Sequence, residues 1–537
     1  MNNNNNNYNR SKKFNNFSFS PFVAMKNMAL WQQQSATAWM EMYKEFTAYS
    51  QKISESWSGA MWKPWTSKEG LQSKENVSLQ SHVDNKNNNY TNKNNNKKKM
   101  RALVLQGGGA LGAFQAGAFK ALYEKITRED KENGYNEERP LFDIVAGTSS
   151  GAINAAVLVS HVIENKTWKG SAKKLLEFWE YLSCPTPDIT EMSANWKKEH
   201  DKNNPNAASA EAARRYYSVK KLLMSGVDKA YSPLPPREDE KFFDQENKRI
   251  LYNKQPLQKS IEKFVKFPIA TNYEKGEPRL LVVSTDAAEG IPVTFDSYEK
   301  ENDDGIKIQH VMASASKPEF YDYEEISGRK FWDGGMLSNT PIRELIQSHK
   351  DFWEYKIGSK VLEDSILEEA TLSVPDLELY IINLWHSNDD VAPSDPDGMT
   401  DRLRDIIVHD QYYVKESILV THYTDLIEKL IQLGVSKNKY NNNNNNNNNN
   451  ELKKEINKIL QNYTASIDTT EEIPKKYLDI IKASFEITKI ESIERRDNDD
   501  TISAKDGDFT SETIDKLIKD GYESVWRKYP PFILQQQ

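Results

Sequence analysis

Twice between Met100 and Val162 an apolar run breaks into glycine and resumes as a helix. The first passage runs RALVLQ into GGGALG and then a helix over Ala113 to Glu124. It sets Gly107, Gly109 and Gly112 in a G-x-G-x-x-G pattern. The second runs the strand FDIVA, Phe142 to Ala146, through Gly147-Thr148-Ser149-Ser150-Gly151 into a helix over Ala152 to Val162. Short apolar strands joined by helical crossovers pair as parallel neighbours, with helices on both faces of the sheet. The spacing therefore predicts an α/β fold. Strand-like text returns at PRLLVVSTDA (Pro278 to Ala287), IPVTFDSY, KFWDGG and LELYIINLW (Leu377 to Trp385). Helical text fills Thr400 to Leu433. FEITKIESI and a helix over Ser511 to Arg527 then close the same domain.

Three glycines in that spacing are also the dinucleotide-binding pattern. Such a site needs a second strand ending in Asp or Glu roughly 20 residues past the loop, to hold the ribose. Here the second strand ends in GTSSG, and its one acid, Asp143, stands at the wrong end. The loop also lacks the Gly-Lys-Ser/Thr ending of a phosphate-binding P-loop. The nucleotide reading loses.

GTSSG is instead G-x-S-x-G between a strand and a helix, the arrangement of a nucleophile elbow. Gly147 and Gly151 relieve crowding where the chain turns sharply. The turn presents Ser149 over a helix N-terminus, where developing negative charge is favoured. A neighbouring glycine loop at the same sheet edge can then aim backbone N–H groups, near Gly108 and Gly109, at a substrate carbonyl. The competing account is a Gly/Ser turn that matches by chance.

A serine nucleophile needs a base. None of the eight histidines sits in a glycine-flanked turn; His386, after a strand end, is the best of them. A stronger candidate is Asp333 in KFWDGGMLSNTPI, where Gly334 and Gly335 allow a tight turn beside another loop. By itself that aspartate also reads as an ordinary turn residue bonding its own backbone.

In order and approximate spacing, GGGALG, GTSSG, ASASKPEF (Ala313 to Phe320) and DGGMLSNTP (Asp333 to Pro341) resemble the patatin-like phospholipases, over roughly Arg101 to Arg343. The resemblance implies a three-layer α/β/α lipid acyl hydrolase with a mostly parallel sheet. It also implies a Ser-Asp dyad, no catalytic histidine and no cofactor or metal. Carried onto this sequence, Ser149 is the nucleophile and Asp333 the base. Gly107, Gly108, Gly109 and Gly112 form the oxyanion hole, Gly147 and Gly151 the elbow, and Gly334 and Gly335 the acid loop. Many members carry Arg or Lys where this chain has Leu111. Oxyanion stabilisation would then rest on backbone donors and the helix dipole.

Composition sets the surroundings. Only 37% of the 537 residues are hydrophobic, and the deficit sits in polar tracts. These divide the chain into a disordered Asn-rich start (1–20), an amphipathic Trp-rich helix (21–66) and a polar linker (67–99). A catalytic core follows (100–345), with an insertion or cap at 185–260, then the C-terminal part of the core with added helices (346–435), an Asn-rich loop (436–455) and a closing strand and helix (456–537). The Trp-rich segment covers either a protein surface or, through residues 21–65, a membrane or granule surface. A net charge of −8 argues against nucleic acid as a partner. The single cysteine, Cys184, excludes an intrachain disulfide and suits a reducing compartment. No apolar run approaches the ~20 residues of a membrane span. A cytosolic hydrolase of lipid esters is the expected function. An intracellular polyester-granule depolymerase using the same dyad and a non-catalytic lipid-binding protein are the alternatives.

Overall fold

The computed structural model describes residues 99–135, 139–188, 210–234, 251–298, 305–318, 320–358, 374–385, 392–393, 395–441, 464–465, 475–476, 485–496 and 502–530. The N-terminal tract, the aromatic segment 21–66, the linker up to residue 98, His386 and the asparagine run from residue 442 lie outside them.

An eight-stranded sheet forms the centre. In chain order its strands are β1 (Lys99–Leu105), β2 (Ile144–Thr148), β3 (Arg279–Asp286), β4 (Pro292–Asp296), β5 (Glu324–Ile326), β6 (Arg329–Asp333), β7 (Asp376–Asn383) and β8 (Ile487–Glu494). They lie in the order β8-β7-β1-β2-β3-β6-β5, with β4 paired to β3. From β8 to β3 all neighbours are parallel, while β4, β5 and β6 run antiparallel to their neighbours. The helices are α1 (Gly112–Glu132), α2 (Ser150–Asn165), α3 (Ser171–Leu182), α4 (Ala210–Ser225), α5 (Gln255–Phe264), α6 (Ile308–Ser314), α7 (Ile342–Ile357), α8 (Pro396–Val408), α9 (Gln411–Asn441) and α10 (Ser511–Lys528).

Side chains alternate across the sheet, and the two faces feed two cores. Leu103 and Leu105 of β1, Val145 of β2 and Val282 of β3 pack with α1, α2, α3 and α10. Ala102, Val104, Ile144, Ala146 and Leu281 pack on the other side with Ile342, Leu345 and Trp353 of α7. This is a three-layer α/β/α fold with a mostly parallel sheet. Strands buried on both faces read as continuous apolar runs, which is why RALVL and LELYII carry no polar alternation.

Two boundaries differ from the sequence reading. The second strand begins at Ile144, not Phe142, because Asp143 pairs with Arg101: its carboxylate accepts the Arg101 N–H at 2.8 Å, and its own N–H donates to the Arg101 carbonyl. The helical text from Thr400 to Leu433 is two helices broken at His409 and Asp410. Asp410 takes a positive φ of 41° there, and its carboxylate accepts bonds from the Thr340 N–H and hydroxyl at 2.7 and 2.6 Å. A tertiary contact wins over helix continuity.

Candidate active site

The carboxyl ends of β1 and β2 place the glycine loop and the GTSSG turn side by side, since Leu105 lies opposite Gly147 in the parallel register. In open parallel sheets this edge is where ligands bind. Ser149 sits between β2 and α2 at φ 54°, ψ −123°, a strained conformation for a residue with a side chain. Its surroundings hold it there. The Ser149 N–H donates to Ser314 Oγ at 2.9 Å, and Ser314 in turn donates to the Val283 carbonyl. A Cβ on Gly151 would strike the Leu105 carbonyl, so the turn packs on β1 only with glycine at that position. Gly147 lies against Gly151 in the same way.

Asp333 ends β6, paired with Ser284 of β3, and Gly334 to Met336 follow as a short 3-10 turn. Coming from the antiparallel side of the sheet, the carboxylate meets the elbow. Ser149 Oγ donates to Asp333 Oδ2 at 2.7 Å. The other oxygen, Oδ1, accepts the Gly335 N–H at 2.7 Å, while Gly334 packs against the Val283 carbonyl beneath. Burial raises the Asp333 carboxyl from its ordinary 3.8 to about 6; the Gly335 and Ser149 hydrogen bonds and the charge of Lys317 oppose the shift without cancelling it. The result is a buried carboxylate that is ionised at neutral pH and still a better proton acceptor than an exposed one.

The four loop glycines are not equivalent. Gly107 donates its N–H to the Asn339 carbonyl at 3.2 Å, and Gly112 bonds the Gly109 carbonyl as α1 begins. The Gly108 N–H donates to Ser150 Oγ at 3.0 Å, a contact the sequence reading did not foresee. Gly109 opens a 3-10 turn, Gly109 to Leu111, so its amide has no acceptor within that turn. At φ +53°, with the Asp506 carbonyl against the place of a Cβ, this position demands glycine. Leu111 is fully buried and brings no charge near Ser149.

Several residues that the motif reading gave no role fix this loop. The Gly107 carbonyl accepts two donors, Trp385 Nε1 at 2.6 Å and Asn339 Nδ2 at 3.1 Å. Gln106 is fully buried, its Oε1 accepting the Leu384 and Trp385 amides and its Nε2 donating to Thr340. Asn339 and Thr340 stand inside DGGMLSNTP and are both buried, and a buried polar side chain is held by partners. Asp410, held by Thr340, is also pushed up to about 6 by its burial.

Ser149, Asp333, Gly107, Gly108, Gly109 and Gly335 open together onto a cavity of about 470 Å³. Its remaining wall is mostly apolar. Phe178, Trp179, Tyr231, Tyr252 and Phe509 contribute, and so do Leu403 and Ile407 of α8. Tyr231 and Tyr252 belong to the 185–260 stretch, whose described part thus walls the cavity. Three charged residues also line it: Asp506 accepts from Arg404 at 2.8 Å and pairs with Lys317 at 3.8 Å.

Residues 103–346 match the family model described as Patatin-like phospholipase, from β1 through α7. Residues 103–346 are a patatin-like phospholipase domain. Among solved structures, VipD from Legionella pneumophila is similar at 12% identity and a TM-score of 0.25, over 80% of this chain and 66% of that one. The heterodimeric ExoU-SpcU complex from the type III secretion system of Pseudomonas aeruginosa is similar at 15% identity and a TM-score of 0.22, over 60% and 52%. The chain thus spans just under two thirds of the first and about half of the second. No curated protein matches it. The patatin-like domain contains the glycine loop, the elbow and the Asp333 turn, whereas Trp385, α8 and Asp506 reach its cavity from outside the matched residues. Among the described residues no helix is long and apolar enough to cross a membrane.

Proposed function

We propose that this chain is a serine hydrolase that cleaves the carboxylic ester bonds of lipids, phospholipids or acylglycerols, with Ser149 as nucleophile and Asp333 as base. One observation carries the reading: the 2.7 Å hydrogen bond from Ser149 Oγ to Asp333 Oδ2 at the wall of an apolar cavity. The membership of residues 103–346 in the patatin-like phospholipases agrees with it.

The reaction then proceeds in two steps. Asp333 accepts the hydroxyl proton as Ser149 Oγ attacks the ester carbonyl carbon. The tetrahedral oxyanion is held by the Gly109 amide, joined by the Gly108 amide once Ser150 Oγ turns away, with the N-terminus of α2 adding favourable potential. The C–O bond breaks, and the departing alcohol takes the proton from Asp333. Water then attacks the acyl-enzyme carbonyl and gives its proton to Asp333. Collapse of the second tetrahedral intermediate releases the carboxylic acid and returns the proton to Ser149. The apolar walls accept the acyl chain and exclude competing water from the Ser149–Asp333 pair.

The test is hydrolysis of a dissolved p-nitrophenyl ester by the full chain. Ser149→Ala and Asp333→Asn are each expected to lower kcat/KM by at least ~10⁴-fold while the circular dichroism spectrum is unchanged. Retained turnover in Ser149→Ala would sink the assignment. Loss in His386→Ala alone would replace the dyad with a triad.

A further inference from the structure

Helix α8 is turned inside out relative to an ordinary surface helix. Asp401 and Asp405, one turn apart, are buried and point at the buried ammonium of Lys505, at 3.1 and 2.8 Å. On the opposite side Met399, Leu403, Ile406 and Ile407 are 55%, 59%, 51% and 68% exposed. An amphipathic helix on a protein in water buries its apolar stripe and exposes its charges. Here the orientation is fixed by polar contacts instead. Asp397 accepts the Ser503 N–H at 2.9 Å near one end, and Arg404 donates to Asp506 nearer the other. Together with the Lys505 cluster these pin α8 to residues 503–506 with its apolar side outward.

That side is continuous with the cavity. Leu403 and Ile407 are both exposed and part of the cavity lining, as is Met336, itself 51% exposed. The next helix, α9, also carries exposed apolar residues, among them Tyr412, Leu419 and Tyr423. A stripe this apolar, held outward by buried charges and running into a cavity with an apolar wall, suits a hydrocarbon medium better than water.

We propose that the outer face of α8 docks the protein on a lipid surface and delivers an acyl chain from that surface past Leu403 and Ile407 into the cavity. The proposal rests on the hydrolase reading for what is delivered, but docking itself is a binding event that needs no turnover. It assigns the contact to the folded domain rather than to the aromatic segment 21–66. Binding of this kind is driven by apolar burial, so it acts on neutral bilayers and tolerates salt.

The experiment compares the full-length wild type with the double variant Met399→Glu, Ile406→Glu, neither residue being part of the cavity lining. Co-sedimentation with phosphatidylcholine vesicles is expected to weaken by at least ~tenfold, because charges replace two of the outward apolar side chains. Hydrolysis of a dissolved p-nitrophenyl ester is expected to stay within about twofold, and the mass in solution to be unchanged. Vesicle binding equal to wild type overturns the proposal, whether the face then proves to hold the 21–66 segment or a second copy. A variant whose mass falls from dimer to monomer also overturns it in favour of a contact between copies. Failure of the wild type to hydrolyse any dissolved ester would count against the hydrolase reading and leave the vesicle result standing on its own.

Discussion

Asp333 and Asp506 line the same cavity and are both largely withdrawn from water, yet their carboxyl groups are driven in opposite directions. Burial opposes ionisation in each. Asp333 has only neutral donors in contact, the Gly335 N–H and the Ser149 hydroxyl, and ends near 6. For Asp506 the positive charges of Lys317 and Arg404 override burial, and its carboxyl lies below the ordinary value. The difference separates two jobs. A carboxylate locked to cations is a fixed negative charge; one held by a serine and a single amide remains free to take and return a proton.

The largest effect is expected when each acid is neutralised in turn. Asp333→Asn is expected to remove ester hydrolysis almost entirely, whereas Asp506→Asn is expected to retain measurable kcat/KM. Equal losses would mean that both acids do the same work. The pH profile sharpens the point. With Asp333 as the proposed base, its ionised form is the active one, so kcat/KM is expected to rise with pH through about 6 and level off above it. A limb near 4 would show that burial does not tune this base.

Gly109 offers a test intermediate in size. Gly109→Ala would force a Cβ against the Asp506 carbonyl at a φ of +53°, displacing the amide assigned to the oxyanion. Loss of one such donor is worth about 10² to 10³ in kcat. A fall in kcat at nearly unchanged KM would support a transition-state role, while a fall in thermal stability alone would reduce Gly109 to a packing residue.

Much of this site could be read in the amino-acid order, and the reason is local. A strand that stops in glycine, a serine between glycines and an aspartate before two glycines are each short-range signals, because turn geometry depends on adjacent residues. The three-layer fold is legible for a similar reason, since strands buried on both faces read as nearly continuous apolar runs. What could not be read depends on partners far along the chain. Ser150 holding the Gly108 amide is invisible in GTSSG, which says nothing of the direction its second serine takes. Trp385 and Asn339 converge on the Gly107 carbonyl from sites more than two hundred residues away. The break between α8 and α9 follows from Asp410 reaching Thr340, a contact that helical periodicity cannot encode. In α8 itself the periodicity of TDRLRDIIV is plain, but which side faces inward is decided by Lys505.

Stability gives a smaller and independent check on the same contrast. The Asp333 carboxyl titrates near 3.8 when exposed and near 6 in the folded chain. Below 3.8 it is protonated in both states and imposes no penalty. Between 3.8 and 6 the unfolded chain gives up this proton while the folded chain keeps it, so stability falls. Above 6 the folded state carries the full penalty of a desolvated charge, about 3 kcal/mol for a gap of that size. Asp333→Asn should therefore raise Tm at pH 8 and leave it nearly unchanged at pH 3.5, an inactive protein more stable than its parent. Asp506→Asn should do the reverse at pH 8, because it strands Lys317 and Arg404 without their shared anion.

The smallest expected effect tests whether the two acids sense each other. The charge of Asp506 pushes the Asp333 carboxyl up and that of Lys317 pulls it down. Lys317→Met should move the acidic limb of kcat/KM to higher pH, and Asp506→Asn should move it lower, each by a fraction of a pH unit across a largely apolar cavity. Opposite displacements of one limb are hard to produce by general damage to the fold, which would lower the plateau without moving the midpoint. If both variants leave the midpoint where it is, the cationic pair and its aspartate act only as structure at the cavity wall, and Asp333 is tuned by burial and its two hydrogen bonds alone.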